Sequence, residues 1–122
     1  MFKRNTKQKG RVGEHYVAYL LEDAGLEALR ADGTGCDLHV TTHSGRVMRV
    51  EVKTCGVAQH GTTLRFHIGK SNAEVFAFVS LMRDQPLVRM FERDSVPKWS
   101  MQLSQFTEEA QRADIEWFLS ID

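Results

Sequence analysis

From Val75 to Met82 the chain reads VFAFVSLM, apolar on both sides of a two-residue repeat apart from Ser80, and this run constrains the fold more than any other segment. A strand with no polar side must lie inside a sheet. It is covered either by the chain's own elements on both faces or, on one face, by a partner chain. With 122 residues, 42% of them hydrophobic, the chain can bury such a core as one domain without disulfides or a structural metal, and a second domain has no room.

The flanking segments supply the rest of the sheet and its cover. Val17, Leu20, Leu21 and Ala24 recur at helical spacing, which predicts an amphipathic helix from Lys7 to Ala24 closed by Gly25. Strands are expected from Leu26 to Ala31 and from Cys36 to Thr42, separated by the turn Asp32-Gly33-Thr34-Gly35. His43-Ser44-Gly45 then turns the chain into a third strand, Arg46 to Thr54, with Met48, Val50 and Val52 on one face and Val47, Arg49, Glu51 and Lys53 on the other. A loop from Cys55 to Thr62 and a strand from Leu64 to Ile68 lead to the apolar run. Leu87 to Phe91 forms a further strand after the turn at Asp84-Gln85-Pro86, and Pro97 is expected to end the sheet region. Phe106, Ala110, Ala113 and Trp117, with Thr107 as N-cap, predict a closing helix packed on the sheet. The order predicts a single α/β domain over residues 1–122, a central mixed β-sheet flanked by helices, with a basic N-terminal arm over residues 1–11.

The formal net charge is zero, which argues against a uniformly basic nucleic-acid coat, but the charge is unevenly spread. Lys3, Arg4, Lys7, Lys9 and Arg11 precede the first acid, Glu14, whereas Glu108, Glu109, Asp114, Glu116 and Asp122 face Arg112 alone near the other end. That asymmetry allows a basic binding face as well as a merely solubilising tail. The run MFKRNTKQKGRVGE lacks the apolar stretch of a secretory signal, and no segment approaches the ~20 apolar residues that span a bilayer. A soluble, cytoplasmic protein is expected. Cys36 and Cys55 are too few and too far apart for a disulfide scaffold, and a zinc site drawn from them and His39, His43, His60 and His67 is the weaker reading beside reduced thiols and scattered, solvated histidines.

Glu51-Val52-Lys53 places a carboxylate and an ammonium on one side of a strand, about 7 Å apart along the chain, with Asp37 available from the neighbouring strand of the hairpin. Glu14 precedes Val17, Ala18 and Leu21 by three, four and seven residues, so it lies on or beside the apolar face of its helix, where a carboxylate is unexpected. Two readings follow. Glu51 with Lys53 or Asp37 is an exposed cross-strand pair worth under ~1 kcal/mol. Alternatively Glu14, Asp37 and Glu51 converge on a metal site with Lys53 at its edge, and carboxylates of this kind suit Mg²⁺ or Mn²⁺, which keep several waters and accept phosphate oxygens.

The stretch KGRVGEHYVAYLLEDAGLEALRADGTGCDL, followed by RVEVKT, resembles the restriction-endonuclease-like nuclease superfamily, whose core is Asp, then Asp or Glu, any residue and Lys. Within it, the order Lys9-Gly10, Glu14, Gly25, Arg30, Gly33-Thr34-Gly35, Asp37, Glu51 and Lys53 is similar to the archaeal-type Holliday junction resolvases, over roughly residues 9 to 54. The resemblance implies that Glu14, Asp37 and Glu51 hold the metal, that the Val52 carbonyl adds a ligand, and that Lys53 assists the attack. It implies that Thr34, standing where the family often has serine, offers a hydroxyl near the scissile phosphate, and that Arg30 joins Lys7, Lys9 and Arg11 on the DNA. Beyond Thr54 the resolvase pattern fades, because Gly69 to Glu74 leaves little room for the helix those enzymes carry there, and AEVFAFVSL looks more like intron-associated homing endonucleases and bacterial restriction-type relatives.

The expectation is a metal-dependent DNA endonuclease from a bacterial, archaeal or phage setting, first of all a resolvase of four-way or other branched DNA. Such a substrate has two strands to cut symmetrically and implies a two-fold homodimer. A sequence-specific homing or restriction-type endonuclease is the alternative, although the short chain leaves little surface for base readout. A catalytically silent DNA-binding module of the same fold is the third reading, and the intact Glu14, Asp37, Glu51 and Lys53 speak against it.

Overall fold

A computed structural model of the chain describes residues 5–31, 35–55, 61–66, 68–82, 85–97 and 100–122. Helix α1 (Thr6–Asp23) starts where Asn5 accepts from the Gln8 backbone N–H while the Gln8 side chain accepts from the Asn5 N–H. It stops at Ala24 because Gly25 takes φ 97°, a left-handed turn that glycine enters without strain. Gly25 N–H then reaches the Glu22 carbonyl and Leu26 N–H the Leu21 carbonyl. Residues 6–11 of the expected basic arm are therefore the first turns of α1.

The strands follow as β1 (Glu27–Arg30), β2 (Leu38–Thr41), β3 (Val47–Cys55), β4 (Thr63–Arg65), β5 (Val75–Ser80), β6 (Leu87–Glu92) and β7 (Ser100–Gln102), before helix α2 (Glu108–Leu119). Five of them form a sheet in the order β1-β2-β3-β5-β6, with β3 and β5 parallel and the other pairs antiparallel. The domain is the expected α/β domain on a mixed sheet. Strands β4 and β7 form a separate antiparallel pair, with Leu64 opposite Met101. The sheet region thus continues past Pro97, where sequence reading had placed its end.

All six residues of β5 are buried, and the chain covers both of its faces itself. Val75, Ala77 and Val79 join Val17 and Leu21 of α1, Val50 and Val52 of β3, and Phe118 of α2. Phe76 and Phe78 join Leu64, Phe66, Met101 and Phe106 on the other side, where Phe66 and Phe78 meet edge to face at 4.7 Å between centroids. The helices therefore share one face and the β4–β7 pair lies on the other. With both faces covered internally, VFAFVSLM supplies no argument for a partner chain.

Helix α2 packs through a different face from the one its apolar spacing suggests. Ala113 is exposed and Phe118 is its buried residue, while Gln111 and Asp114 point toward the sheet. These two polar side chains meet the backbone of the edge strand β6. Gln111 Oε1 accepts from Val88 N–H at 2.8 Å, and Asp114 Oδ2 accepts from Met90 N–H at 2.8 Å and from Arg89 Nε at 2.7 Å. A periodicity of apolar residues cannot reveal a helix face whose task is to satisfy a strand edge. Asp114→Ala leaves both donors without that acceptor and is expected to cost about 1–3 kcal/mol in urea denaturation at pH 7. Asp114→Asn, which keeps an oxygen, should lose less.

Glu74 pins the β2–β3 hairpin to the start of β5. Its carboxylate accepts from Arg46 at 2.9 Å and from Arg49 Nε at 3.1 Å, and its N–H donates to the Arg49 carbonyl at 2.8 Å. Burial pushes the carboxyl up, but hydrogen bonds from Arg49 and Arg46 outweigh it and hold Glu74 below its ordinary 4.5. A depressed folded pKa contributes stability that is present above the unfolded value and lost as pH falls through the folded one. Wild-type protein should therefore lose stability below pH 4.5 more steeply than Glu74→Gln, and parallel pH–stability curves would show that Glu74 is not the linked group.

Candidate active site

Strands β2 and β3 pair from Thr41 opposite Val47 to Leu38 opposite Val50 and then part. Asp37 stands where they part. Its N–H still reaches the Val50 carbonyl at 3.0 Å, but the next donor of β3, Val52 N–H, is met by the Asp37 side chain, with Oδ2 at 2.7 Å. A carboxylate thus replaces a backbone acceptor at the mouth of the sheet. Because the N–H and C=O of one strand residue point to the same side, the Val52 carbonyl faces that gap as well.

Glu51 and Lys53 emerge on the sheet face opposite α1, opposite Phe76 and Phe78 of β5 in register. Lys53 Nζ lies 3.0 Å from Glu51 Oε2, and both side chains are largely shielded, at 26% and 15% exposure. The pair is therefore not the fully solvated surface pair that composition alone would suggest. The other Glu51 oxygen, Oε1, lies 3.3 Å from Ser71 Oγ, which is also 3.3 Å from the Gly35 carbonyl. Ser71 was missed in the sequence, since a lone serine between Lys70 and Asn72 carries no pattern.

Glu14 approaches from the other face. Gly13 allows it, because a Cβ built on Gly13 would overlap Thr54 Oγ1 of β3. That contact brings α1 onto the end of β3, where Glu14 Oε1 is buried and sits 3.3 Å from an Arg30 guanidinium nitrogen at the end of β1. Alanine favours a helix interior over glycine by about 1 kcal/mol, yet Gly13→Ala should destabilise this protein. Thr54→Ala in the same chain removes the overlapping Oγ1 but leaves Cβ at 3.1 Å, so it should recover part of the stability, and additive losses across the double-mutant cycle would rule out the contact as the cause.

Asp37 thus meets the Val52 N–H, Glu51 and Lys53 pair with each other on either side of Val52, and Glu14 contacts Arg30 at the end of β1. Among the described residues no group of three or more His, Cys, Asp and Glu side chains is drawn together as a metal cluster, so the expected convergence of Glu14 with Asp37 and Glu51 is not preformed. The same holds for zinc around buried Cys36 and half-buried Cys55, while His60 and His67 lie outside the described residues. Thr34 also lies outside them. Lys7 and Arg11 are exposed and share Glu14's side of α1, whereas Lys9 is half-buried on another. No described helix is long and apolar enough to cross a membrane.

No protein-family model matches the chain, and no curated protein matches it. Among solved structures, the fold is similar to that of a bacterial homing endonuclease, I-Ssp6803I, with a TM-score of 0.68 at 17% identity over 96% of this chain and 91% of that one. At that identity the likeness shows a shared fold, extending beyond residue 54 through the parts of the chain that the resolvase pattern leaves unmatched.

Proposed function

We propose that this chain is a divalent-cation-dependent endonuclease that cuts duplex DNA in the manner of homing or restriction-type enzymes. One observation carries the reading: Asp37 and Glu51 bracket the Val52 peptide at the opening of the sheet, with the Lys53 ammonium 3.0 Å from Glu51. The fold likeness to a homing endonuclease over nearly the whole chain supports that substrate class ahead of four-way junctions. So does the β3-to-β5 connection, which among the described residues carries β4 and no helix.

The donor set fits a hard cation. Mg²⁺ is commonly held by one or two carboxylates, its remaining positions going to water and substrate phosphate, so Asp37 and Glu51 with the Val52 carbonyl suffice and Glu14 is an outer contributor. When bound, the cation acidifies water and offsets charge that grows on the phosphate. In hydrolysis a water oxygen forms a new bond to phosphorus, the bridging P–O bond breaks, and the departing oxygen takes a proton. Asp37 orients the Val52 peptide, and Lys53, steadied by Glu51, holds its positive charge where charge builds on the phosphoryl oxygens. Lys7 and Arg11, exposed on Glu14's side of α1, and Arg30 meet the DNA backbone and add affinity without reading sequence, whereas Lys9 faces away from them. Two-fold assembly then delivers a site to each strand of the duplex.

A second reading, cleavage of four-way or other branched DNA, is favoured by the ordered match from Lys9 to Lys53. Incubating the protein with a labelled junction, a randomised linear duplex and single strands, with and without Mg²⁺, separates the two readings. Asp37→Asn and Glu51→Gln keep oxygen acceptors for Val52 N–H and Ser71, and with Lys53→Ala they should each lower Mg²⁺-dependent cleavage at least about 100-fold while the protein stays folded by circular dichroism. Near wild-type turnover in Asp37→Asn or Glu51→Gln would sink the assigned site.

A further inference from the structure

Ser71 lies in the connection between β4 and β5, and its hydroxyl touches three groups that the sequence keeps apart. Its Oγ accepts from the Ala73 N–H at 3.1 Å and lies 3.3 Å from both the Gly35 carbonyl and Glu51 Oε1. A hydroxyl has one proton to give and can share it between two acceptors while accepting from a third group, so this one oxygen closes a three-way junction. Gly35 is two residues before Asp37, and Asn72 N–H reaches the same Gly35 carbonyl at 3.4 Å. Gly35 takes φ 85°, which strains any other residue, and a Cβ there would sit 3.1 Å from the Asn72 side chain, a tight contact. The 71–72 segment therefore grips the turn leading into Asp37 and at the same time holds one oxygen of Glu51, whose other oxygen faces Lys53.

We propose that Ser71 is a positioning residue of the site, fixing the Glu51 carboxylate relative to the Asp37 turn so that the two present a preset pair of oxygens to a divalent cation. The inference rests on the endonuclease reading. It assigns a second layer of support of the kind that orients metal-binding carboxylates elsewhere, where loss of one partner commonly weakens metal binding 10–100-fold. The competing role is local: Ser71 as a turn cap for Ala73 N–H alone.

The test measures Mn²⁺ binding to the DNA-free protein by isothermal titration calorimetry and by the electron paramagnetic resonance of unbound Mn²⁺, for wild type, Ser71→Ala and Ser71→Thr. Ser71→Ala is expected to bind Mn²⁺ about tenfold more weakly, with Ser71→Thr, which keeps the hydroxyl, close to wild type. In cleavage assays the Mg²⁺ concentration at half-maximal rate should rise about tenfold in Ser71→Ala, with the rate at saturating Mg²⁺ largely restored. A lower melting temperature with an unchanged Mn²⁺ dissociation constant would reduce Ser71 to a turn cap and overturn the inference while leaving the endonuclease reading intact. A wild-type protein that binds no Mn²⁺ would overturn the endonuclease reading and this inference with it.

Discussion

A strand buried on both faces needs two covers, and the architecture follows from how one short chain provides them for β5. The helices take one side, burying Val75, Ala77 and Val79, and the β4–β7 pair with Phe106 takes the other, burying Phe76 and Phe78. The second cover reaches over β5 but leaves Leu29 of β1 and Val47 at the start of β3 exposed, so the β1 side of that face stays open to solvent. Glu51 and Lys53 stand at the border between the covered and the open parts of that face. Burial there shields the pair without closing it off from solvent. The candidate site is thus a consequence of incomplete cover as much as of its own residues.

Much of this was legible in the sequence. The alternation of Met48, Val50 and Val52 with Arg49, Glu51 and Lys53 located β3 and both its faces, and Gly25 and Gly45 marked turns that take positive φ in the structure. Glu14 was recognised as misplaced because a carboxylate on an apolar helix face violates periodicity. Most of what remained hidden comes from polar side chains that meet backbone or distant groups. Gln111 and Asp114 look like the solvent side of α2 and instead serve β6, which shifted the expected contact face away from Ala110 and Ala113. Ser71 is likewise invisible to spacing, since its partners lie 36 and 20 residues away. Strand β7 is three residues long and follows a proline, too short for alternation to register.

Asp37 belongs to both classes. As a conspicuous acid after a glycine turn it was readable as chemistry, while its structural task, standing in for a backbone carbonyl at Val52, was not. One carboxylate oxygen thus serves as part of the sheet. Functional carboxylates anchored in this way hold their orientation without ligand present, because moving them would strand a partly buried N–H.

The side chains of Gln111 and Asp114 have a consequence for association. By occupying the outward N–H groups of Val88 and Met90, α2 closes the β6 rim of the sheet to strand addition. The opposite rim, β1, has four residues and, among the described residues, a single strand neighbour in β2. Any chain that extends this sheet by backbone pairing must therefore do so beside β1, next to Arg30 and within reach of Glu14. Growth of the sheet and access to the candidate site converge on one side of the molecule, so a strand docked there would stand beside Arg30 and Glu14.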